Sequence, residues 1–384
     1  MAAQHVRSGF DALRADGTQA GRNAVLLANA RPVETSLSAP HLVFVGGFLG
    51  AGKTTLILAA ARELARRGVR SAVILNDQGD ALVDTSLAQT AGVPAGEVTG
   101  GCFCCRFSEL IEAAEALRVH APEVIFAEPV GSCTDISATL LRPIEETFRD
   151  AFRLAPFSVL ADPLRARELL AADANPHMAF LFRKQLQEAD LVCWTKSDLH
   201  PELPELAGMP ARKLSARTGQ GVAAWLDEVL SGRIAAGQTL LEIDYNEYAR
   251  AEAALAWLNA ELVIESVPPR SPAMVLGPLI DRLDQELSAA GIGIVHLKAT
   301  DHAPSGFLKA AICGGGQEPE VEGALDASPC ARHHLLLNLR AAGAPDPVRA
   351  IVDRVLAGVA GSMTELRLTC FSPAAPRPER RVTR

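Results

Sequence analysis

Between His41 and Leu230, short apolar runs alternate with stretches whose apolar positions recur every three or four residues. His41–Val45, Arg70–Leu75, Glu123–Ala127, Phe157–Leu160, Asp190–Trp194 and Pro210–Leu214 are short and almost uniformly aliphatic at their centres, and read as buried strands. Leu56–Arg66, Phe107–Val119 and Gly221–Leu230 carry the helical period. Strands alternating with helices predict an α/β fold whose mostly parallel, doubly wound sheet is covered on both faces. Ligands of such sheets bind beyond the carboxyl ends of the strands, so residues that directly follow strands should meet at one edge.

Near Gly232–Gly237 the pattern changes. Leu240–Ile243 reads as a short strand and Tyr245–Leu258 as helix or linker. Strands at Glu261–Ser266, Gly293–Lys298, Phe307–Cys313, His334–Leu339 and Glu365–Cys370 are interleaved with helices at Met274–Ala290 and Pro347–Ala357. That order predicts a smaller α+β domain of ferredoxin-like type, with Gly314–Pro329 as a long loop. The expected organisation is a flexible N-terminal extension (1–40), an α/β P-loop domain (41–235), the α+β domain (236–372) and a disordered Pro/Arg-rich tail (373–384).

Composition narrows the function. The chain has 384 residues, 48% hydrophobic and 5% aromatic, so its core is built from Leu, Val, Ile and Ala. A net charge of −8 argues against a basic nucleic-acid surface. No run suits a membrane span, and the first forty residues carry no apolar signal segment. A cytoplasmic protein is expected, and its eight cysteines read as ligands or core residues rather than disulfides.

The chemistry is concentrated in a few segments. Gly47-Phe48-Leu49-Gly50-Ala51-Gly52-Lys53-Thr54-Thr55 fits G-x-x-x-x-G-K-[ST] and sits between a strand and a helix. Its glycines let backbone N–H groups turn toward phosphate oxygens, Lys53 reaches the β/γ-phosphates, and Thr54 places a hydroxyl on Mg²⁺. Glu128-Pro129-Val130-Gly131 follows a buried strand; Glu128 is a candidate for Mg²⁺ and the Gly131 N–H for the γ-phosphate. With Lys53 and Thr54, these two are the candidate catalytic residues. Asn76-Asp77-Gln78-Gly79-Asp80, with Asp84 further on, reads equally as a polar turn or a switch loop, with Asp77 as its most plausible ion ligand. Asp198, in Thr195-Lys196-Ser197-Asp198, suits the N1–H and amino group of guanine; the Lys196 stem suits the base face. Ser215-Ala216 offers a backbone N–H for the guanine O6. Cys102, Cys104 and Cys105 place three thiols within four positions, the chemistry of Zn²⁺ or a similar soft ion. They cannot close a tetrahedron alone, so an open, transferable site is expected. Cys133, Cys193, Cys313, Cys330 and Cys370 stand singly and read as core or incidental, and His333-His334 as a surface or strand-edge pair.

These residues resemble the CobW-like GTPases, relatives of the urease and hydrogenase nickel-insertion GTPases. The resemblance rests on Gly47–Thr55, Asn76-Asp77-x-Gly79, Cys102-x-Cys104-Cys105, Glu128-x-x-Gly131 and Lys196-x-Asp198. It covers Leu42 to about Leu230 and, more weakly, the C-terminal domain. It implies a GTPase that uses GTP and Mg²⁺ and handles Zn²⁺ or Co²⁺ for a client metalloenzyme or corrinoid enzyme, with a homodimer as one form of assembly. It also implies that Asp77 stands where a glutamate is usual. Two departures are visible: Thr195 replaces the Asn of N-K-x-D, and the C-terminal domain has no histidine-rich tract. Two alternatives stay open. One is a GTP-gated remodeller in which the cysteines are structural; the other is a P-loop ATPase or small-molecule kinase, which Asp198 disfavours.

Overall fold

The computed structural model describes residues 38–78, 83–204, 211–359 and 361–383. The expectation of a flexible extension at 1–40 therefore lies almost wholly outside the described residues, as do Gly79 and Asp80 of the polar loop.

The chain opens with β1 (His41–Gly47), α1 (Lys53–Arg66), β2 (Ser71–Asn76), α2 (Val83–Thr90), β3 (Ala95–Val98), α3 (Phe107–Ala116) and β4 (Val124–Glu128). It continues through α4 (Arg142–Phe148), β5 (Arg153–Leu154), β6 (Ser158–Ala161), α5 (Pro163–Leu170), α6 (Pro176–Glu188), β7 (Leu191–Trp194), β8 (Ala211–Lys213) and α7 (Val222–Val229). These strands form one sheet in the order β3-β2-β4-β1-β6-β7-β8, with β5 on β1, and every pairing is parallel. The uniform apolar runs have their physical reason here: β1, β2, β4, β6 and β7 are buried on both faces. β3 and the helices α4 to α6 are elements that the hydrophobic pattern did not single out.

A second sheet follows α8 (Tyr245–Ala253). Its elements are β9 (Leu255–Arg270), α9 (Pro272–Ala289), β10 (Gly293–Ala303), β11 (Gly306–Ile312), β12 (Glu320–Gly323), β13 (Cys330–Ala342), α10 (Pro345–Ala357) and β14 (Ser362–Phe371). Leaving aside the β11–β12 hairpin, the order β10-β13-β9-β14 is that of a split β-α-β-β-α-β unit, the ferredoxin-like arrangement. The antiparallel hairpin extends the β10 edge, so the expected loop at Gly314–Pro329 contains strand β12. Leu240–Ile243 is irregular rather than a strand, and β9 begins at Leu255, inside the stretch expected to be helix or linker. α9 and α10 cover one face of this sheet with Leu276, Leu279, Leu283, Val352 and Val355. The other face packs toward the P-loop edge of the first sheet. Both sheets belong to one compact unit, and the expected boundary at 235–236 falls in the irregular stretch between α7 and α8.

Two further expectations are overturned. The tail is not disordered: residues 373–383 run as ordered, irregular chain against the first sheet's helical layer, held by hydrogen bonds described below. The His333–His334 pair is split by strand alternation on β13, which buries His333 against Asp301 (2.7 Å) and leaves His334 partly exposed beside Glu261 (2.9 Å). Cys133 and Cys313 are buried, as the core reading had it, and Cys313 also reaches the P-loop.

Leu262, fully buried on the central strand β9, packs into the core beneath α9 and α10. Leu262→Ala should lower unfolding free energy by about 2–5 kcal/mol, read from the denaturant midpoint.

Candidate functional site

The P-loop turns on positive φ at Gly50 (80°) and Gly52 (86°), a region that a Cβ disfavours. α1 starts at Lys53 with no side-chain cap and no acidic residue in its first turn, so its first amides are open to an anion. Lys53 is buried, and its Nζ donates to the Gly47 carbonyl (3.1 Å) and lies 4.0 Å from Glu128 Oε1. Burial lowers its proton affinity, and Glu128 partly restores it. An added Cβ at Gly131 would lie 2.8 Å from Leu49 Cδ2 and 3.0 Å from Lys53 Nζ, so only glycine allows this loop to approach the P-loop so closely.

Thr54 Oγ1 lies 2.8 Å from Asp84 Oδ1 and 3.1 Å from Glu128 Oε1. One hydroxyl proton cannot serve both acceptors fully, and Glu128 Oε2 is buried with no partner. Three oxygen-bearing groups thus converge with unmet capacity, a donor set that fits a hard cation such as Mg²⁺. Burial, then the neighbouring Asp84, pushes the Glu128 carboxyl up to about 7. Burial also works against Asp84, but the Lys298 ammonium 2.5 Å away holds its pKa well below the ordinary carboxylate value. Asp77, read as the ion ligand of this loop, is instead clamped by both oxygens to Arg340 Nη2 (3.0 Å each). Asp84, the second residue of α2, occupies the place beside Thr54.

Lys298 and Arg340 come from the second sheet. Strand alternation puts His296 and Lys298 of β10 and Asn338 and Arg340 of β13 on the face opposite α9 and α10. Arg340 also stacks on Trp257, 4.0 Å from the ring centre. These residues, with Lys309 and Glu320, share a cavity with Gly50, Gly52, Lys53, Thr54, Thr55, Asp77, Glu128, Gly131, Lys196, Asp198 and Ala216. Gly47, Ala51 and Ser215 lie behind that lining. The basic groups from the second sheet were missed in the sequence. Their signal is a charged or amide residue at alternate positions of strands that are otherwise aliphatic, His296/Lys298 and Asn338/Arg340.

The far end of the cavity holds the base-reading candidates. Asp198 accepts from Arg217 Nε (2.9 Å); burial opposes its ionisation, but bonds from Ser215 and Arg217 keep its pKa low. Thr195, in place of asparagine, still braces the P-loop by donating to the Ala51 carbonyl (2.8 Å). Lys196 Nζ meets Glu320 (2.7 Å), Asp162 (3.0 Å) and Cys313 Sγ (3.3 Å). Cys313 in turn touches the Gly50 carbonyl (3.5 Å), so the end of β11 plugs between the P-loop and the Lys196 loop.

The cysteine segment forms a second centre. Asn76, at the end of β2, holds it: its amide donates to the Val98 and Gly101 carbonyls (2.8 and 2.7 Å) and its oxygen accepts from Phe103 N (2.8 Å). The sulfurs of Cys102, Cys104 and Cys105 all lie within 4.8 Å of one another, among the described residues the one such group of three or more metal-ligating side chains. Cys133, buried on the loop after Gly131, belongs to the same core cluster as Cys102 and Cys104. Bonds from Cys104, then Cys105, draw the Cys102 thiol well below its ordinary pKa, the condition of a thiolate ligand. Three soft donors and a pre-formed thiolate site suit Zn²⁺.

The C-terminal strap lies over this centre. Arg377 N–H donates to Cys105 Sγ (3.2 Å) and Glu379 N–H to the Cys104 carbonyl (2.9 Å). The Glu379 carboxylate accepts from the Ser108 hydroxyl (2.8 Å), Arg380 stacks on Phe107 (4.8 Å), and Arg381 pairs with Asp135 (2.7 Å). The cysteines are therefore covered, with Cys102 and Cys104 buried and Cys105 partly so, not open as their spacing suggested.

Residues 41–222 match the family described as CobW/HypB/UreG, nucleotide-binding domain. This segment is a CobW/HypB/UreG nucleotide-binding domain. Over 169 residues the chain is 31% identical to the zinc chaperone YjiA of Escherichia coli K12, covering 43% of this chain and 52% of that one. Over 160 residues it is 32% identical to the zinc chaperone YeiR of the same organism, covering 40% and 45%. The chain thus spans about half the length of the curated relatives it matches. Among solved structures, HypB from Helicobacter pylori in complex with nickel aligns over 50% of this chain and 87% of its own, at 16% identity and TM-score 0.39. The P-loop, Asp77, Asp84, Glu128, Asp198 and the cysteine centre all lie within the CobW/HypB/UreG domain, whereas Lys298, Arg340 and the strap lie outside it. No described helix is long and apolar enough to cross a membrane.

Deleting Arg377–Arg384 should expose the cysteine centre. Reaction of the reduced protein with a thiol reagent should then show a faster phase for Cys105, and the melting temperature should fall, because the buried Asp135 loses Arg381 and keeps only Tyr245.

Proposed function

We propose that the chain is a Mg²⁺-dependent GTPase that carries Zn²⁺, or a similar ion such as Co²⁺, at Cys102, Cys104 and Cys105 and couples GTP hydrolysis to its delivery to a client protein. The observation that carries this reading is connectivity: the strand ends that face the nucleotide cavity also hold the cysteine centre. Asn76 fixes the cysteine segment one residue before Asp77, and Gly131 lies two residues before Cys133.

Gly47 to Thr55 would cradle the phosphates, with Lys53 neutralising charge that develops on the transferred group. Thr54, Asp84 and Glu128 would hold Mg²⁺ directly or through water, and Gly131 would report the γ-phosphate through its N–H. A bound magnesium ion would supply further charge neutralisation at the phosphate oxygens. Lys196 and Asp198 would read guanine once Arg217 yields Asp198, with Ser215-Ala216 beside the base. Asp77 is in this reading a tether to Arg340 rather than an ion ligand. A remodeller with structural cysteines is the second reading, and the strap over the cysteines favours it. The kinase or ATPase alternative is decided by competition between GTP and ATP.

Zn²⁺, Co²⁺ and Ni²⁺ titrations with and without a non-hydrolysable GTP analogue separate these readings. A metallochaperone should show roughly 5–150-fold coupling between nucleotide and metal affinity; no coupling would move the case to the remodeller. Lys53→Ala should cost about 100-fold or more in GTP turnover while leaving metal affinity intact. Because Glu128 must be ionised to bind a cation, and is raised to about 7, Mg²⁺-nucleotide affinity should fall as pH drops from about 8 to about 6. Calorimetry in buffers of different ionisation enthalpy should register the released proton.

A further inference from the structure

The cations that line the P-loop cavity differ in what holds them. Lys309 pairs with Glu322 (3.1 Å), Lys196 with Asp162 and Glu320, Arg340 with Asp77 and Arg217 with Asp198. None of those carboxylates stands in the donor set that fits Mg²⁺. Lys298 is different. Its Nζ lies 2.5 Å from Asp84 Oδ1, the same oxygen that stands 2.8 Å from Thr54 Oγ1. Thr54 Oγ1 is in turn 3.1 Å from Glu128 Oε1. A lysine of the second sheet thus holds a carboxylate that the nucleotide-bound state gives to the cation.

We propose that Lys298 is a catalytic residue of the GTPase, supplied by the second sheet, which leaves Asp84 for the γ-phosphate when Mg²⁺-nucleotide binds. The assignment rests on the reading of this cavity as a GTPase site. The Lys298 side chain is 11% exposed, and an ammonium so far out of water is not left without an anion. Once Asp84 and Glu128 turn to a hard cation, both carboxylates are lost to it. Asp77 is already clamped by Arg340. The γ-phosphate is the anion that arrives in the same cavity at the same moment. Burial works against the lysine's charge, but Asp84 and Glu128 hold its pKa above the ordinary value, so it stands charged beside the P-loop.

Strand geometry sets the reach. Lys298 lies on β10, which is paired on both edges, with β11 and with β13. The strand fixes its Cα, and a flexible four-carbon stem lets the ammonium pass from one anion to the next. Lys53 enters the cavity from the first sheet, at the start of α1. Hydrolysis forms a bond from a water oxygen to the γ-phosphorus and breaks the bond to the β-phosphate oxygen. It yields GDP and inorganic phosphate and releases the water's proton. Negative charge is spread over the γ-oxygens and the leaving oxygen as this happens, and two lysines, one from each sheet, neutralise it. Lys298 lies outside the nucleotide-binding domain at 41–222, so turnover requires the second sheet to be seated. The Arg340–Asp77 pair keeps that seat while Lys298 changes partner.

The test compares the full-length wild type with Lys298→Met, which keeps the stem and loses the charge, and Lys298→Arg, which keeps the charge. Single-turnover GTP hydrolysis is measured beside the binding of GDP and of a non-hydrolysable GTP analogue, each with Mg²⁺, and the trapping of GDP by aluminium fluoride. Lys298→Met should slow hydrolysis roughly 100- to 1,000-fold. It should bind the analogue at least about tenfold more weakly, fail to trap aluminium fluoride, and bind GDP as wild type does. Lys298→Arg should recover part of the rate and the trapped complex. If Lys298→Met weakens GDP and the analogue equally, or hydrolyses GTP as fast as wild type, the lysine serves to fasten the sheets and the catalytic assignment is overturned while the GTPase reading stands. If wild type itself hydrolyses no GTP, the GTPase reading fails and the assignment falls with it. Should Lys298→Met not fold, a crystal structure of wild type with Mg²⁺, GDP and aluminium fluoride decides: Lys298 Nζ on the fluoride supports the proposal, and Nζ still on Asp84 overturns it.

Discussion

A buried ion pair, Arg340 to Asp77, and a partly buried one, Lys298 to Asp84, join the sheets of this protein. A charge removed from water is tolerated only when its partner is in place, and stranding one member of such a pair costs on the order of 3–5 kcal/mol. The second sheet is therefore seated where its cations meet the carboxylates at the carboxyl edge of the first. That seating roofs the P-loop cavity with Lys298, Lys309 and Arg340. The cavity gathers cations from both sheets, Lys53, Lys196 and Arg217 with Lys298, Lys309 and Arg340, alongside as many carboxylates. Lys298 also neutralises the oxygens of Asp84 that a hard cation would otherwise satisfy, so its position and the cation's are mutually dependent.

The cysteine centre is tied to the same edge by shorter links. Asn76 lines the cavity and holds the cysteine segment with its side chain, and the Glu128–Asp135 loop runs from the cavity to the strap at Asp135. Helices α6 and α8 support the loop from behind through Gln185, Tyr248 and Glu252, which bond to Gly131, Thr134 and Ser132. The strap closes the outer side. A chain segment far from the cysteines in sequence thus becomes part of their wall, and it does so with backbone N–H donors on sulfur and carbonyl, contacts that need only an extended strand and no particular side chain.

Much of the first sheet was legible because both of its faces are buried, which forces uniform apolar runs, and because a phosphate turn requires glycines at set positions. The smaller unit's β-α-β-β-α-β order was legible from period alone. What escaped was of another kind. β3 and β12 are short and carry few apolar residues, so they leave little trace. The tail's Pro and Arg content resembles disordered chain, because composition does not register hydrogen bonds to a distant segment. Asp77 and Asp84 are both acidic residues near the end of β2, and nothing local distinguishes the one that faces Thr54 from the one that faces Arg340. Cys133 and Cys313 have no neighbouring thiol in sequence, and their partners arrive only through folding.

By itself the sequence determined the parallel α/β layer, the P-loop, the Glu128 and Asp198 strand ends and the close spacing of three thiols, because each of these is set by residues within a dozen positions of one another. The tertiary structure decided which carboxylate stands beside Thr54, which cations roof the cavity and what covers the cysteines. Those are contacts between segments far apart in the chain, and their geometry exists only once the two sheets have packed and their buried charges have found each other.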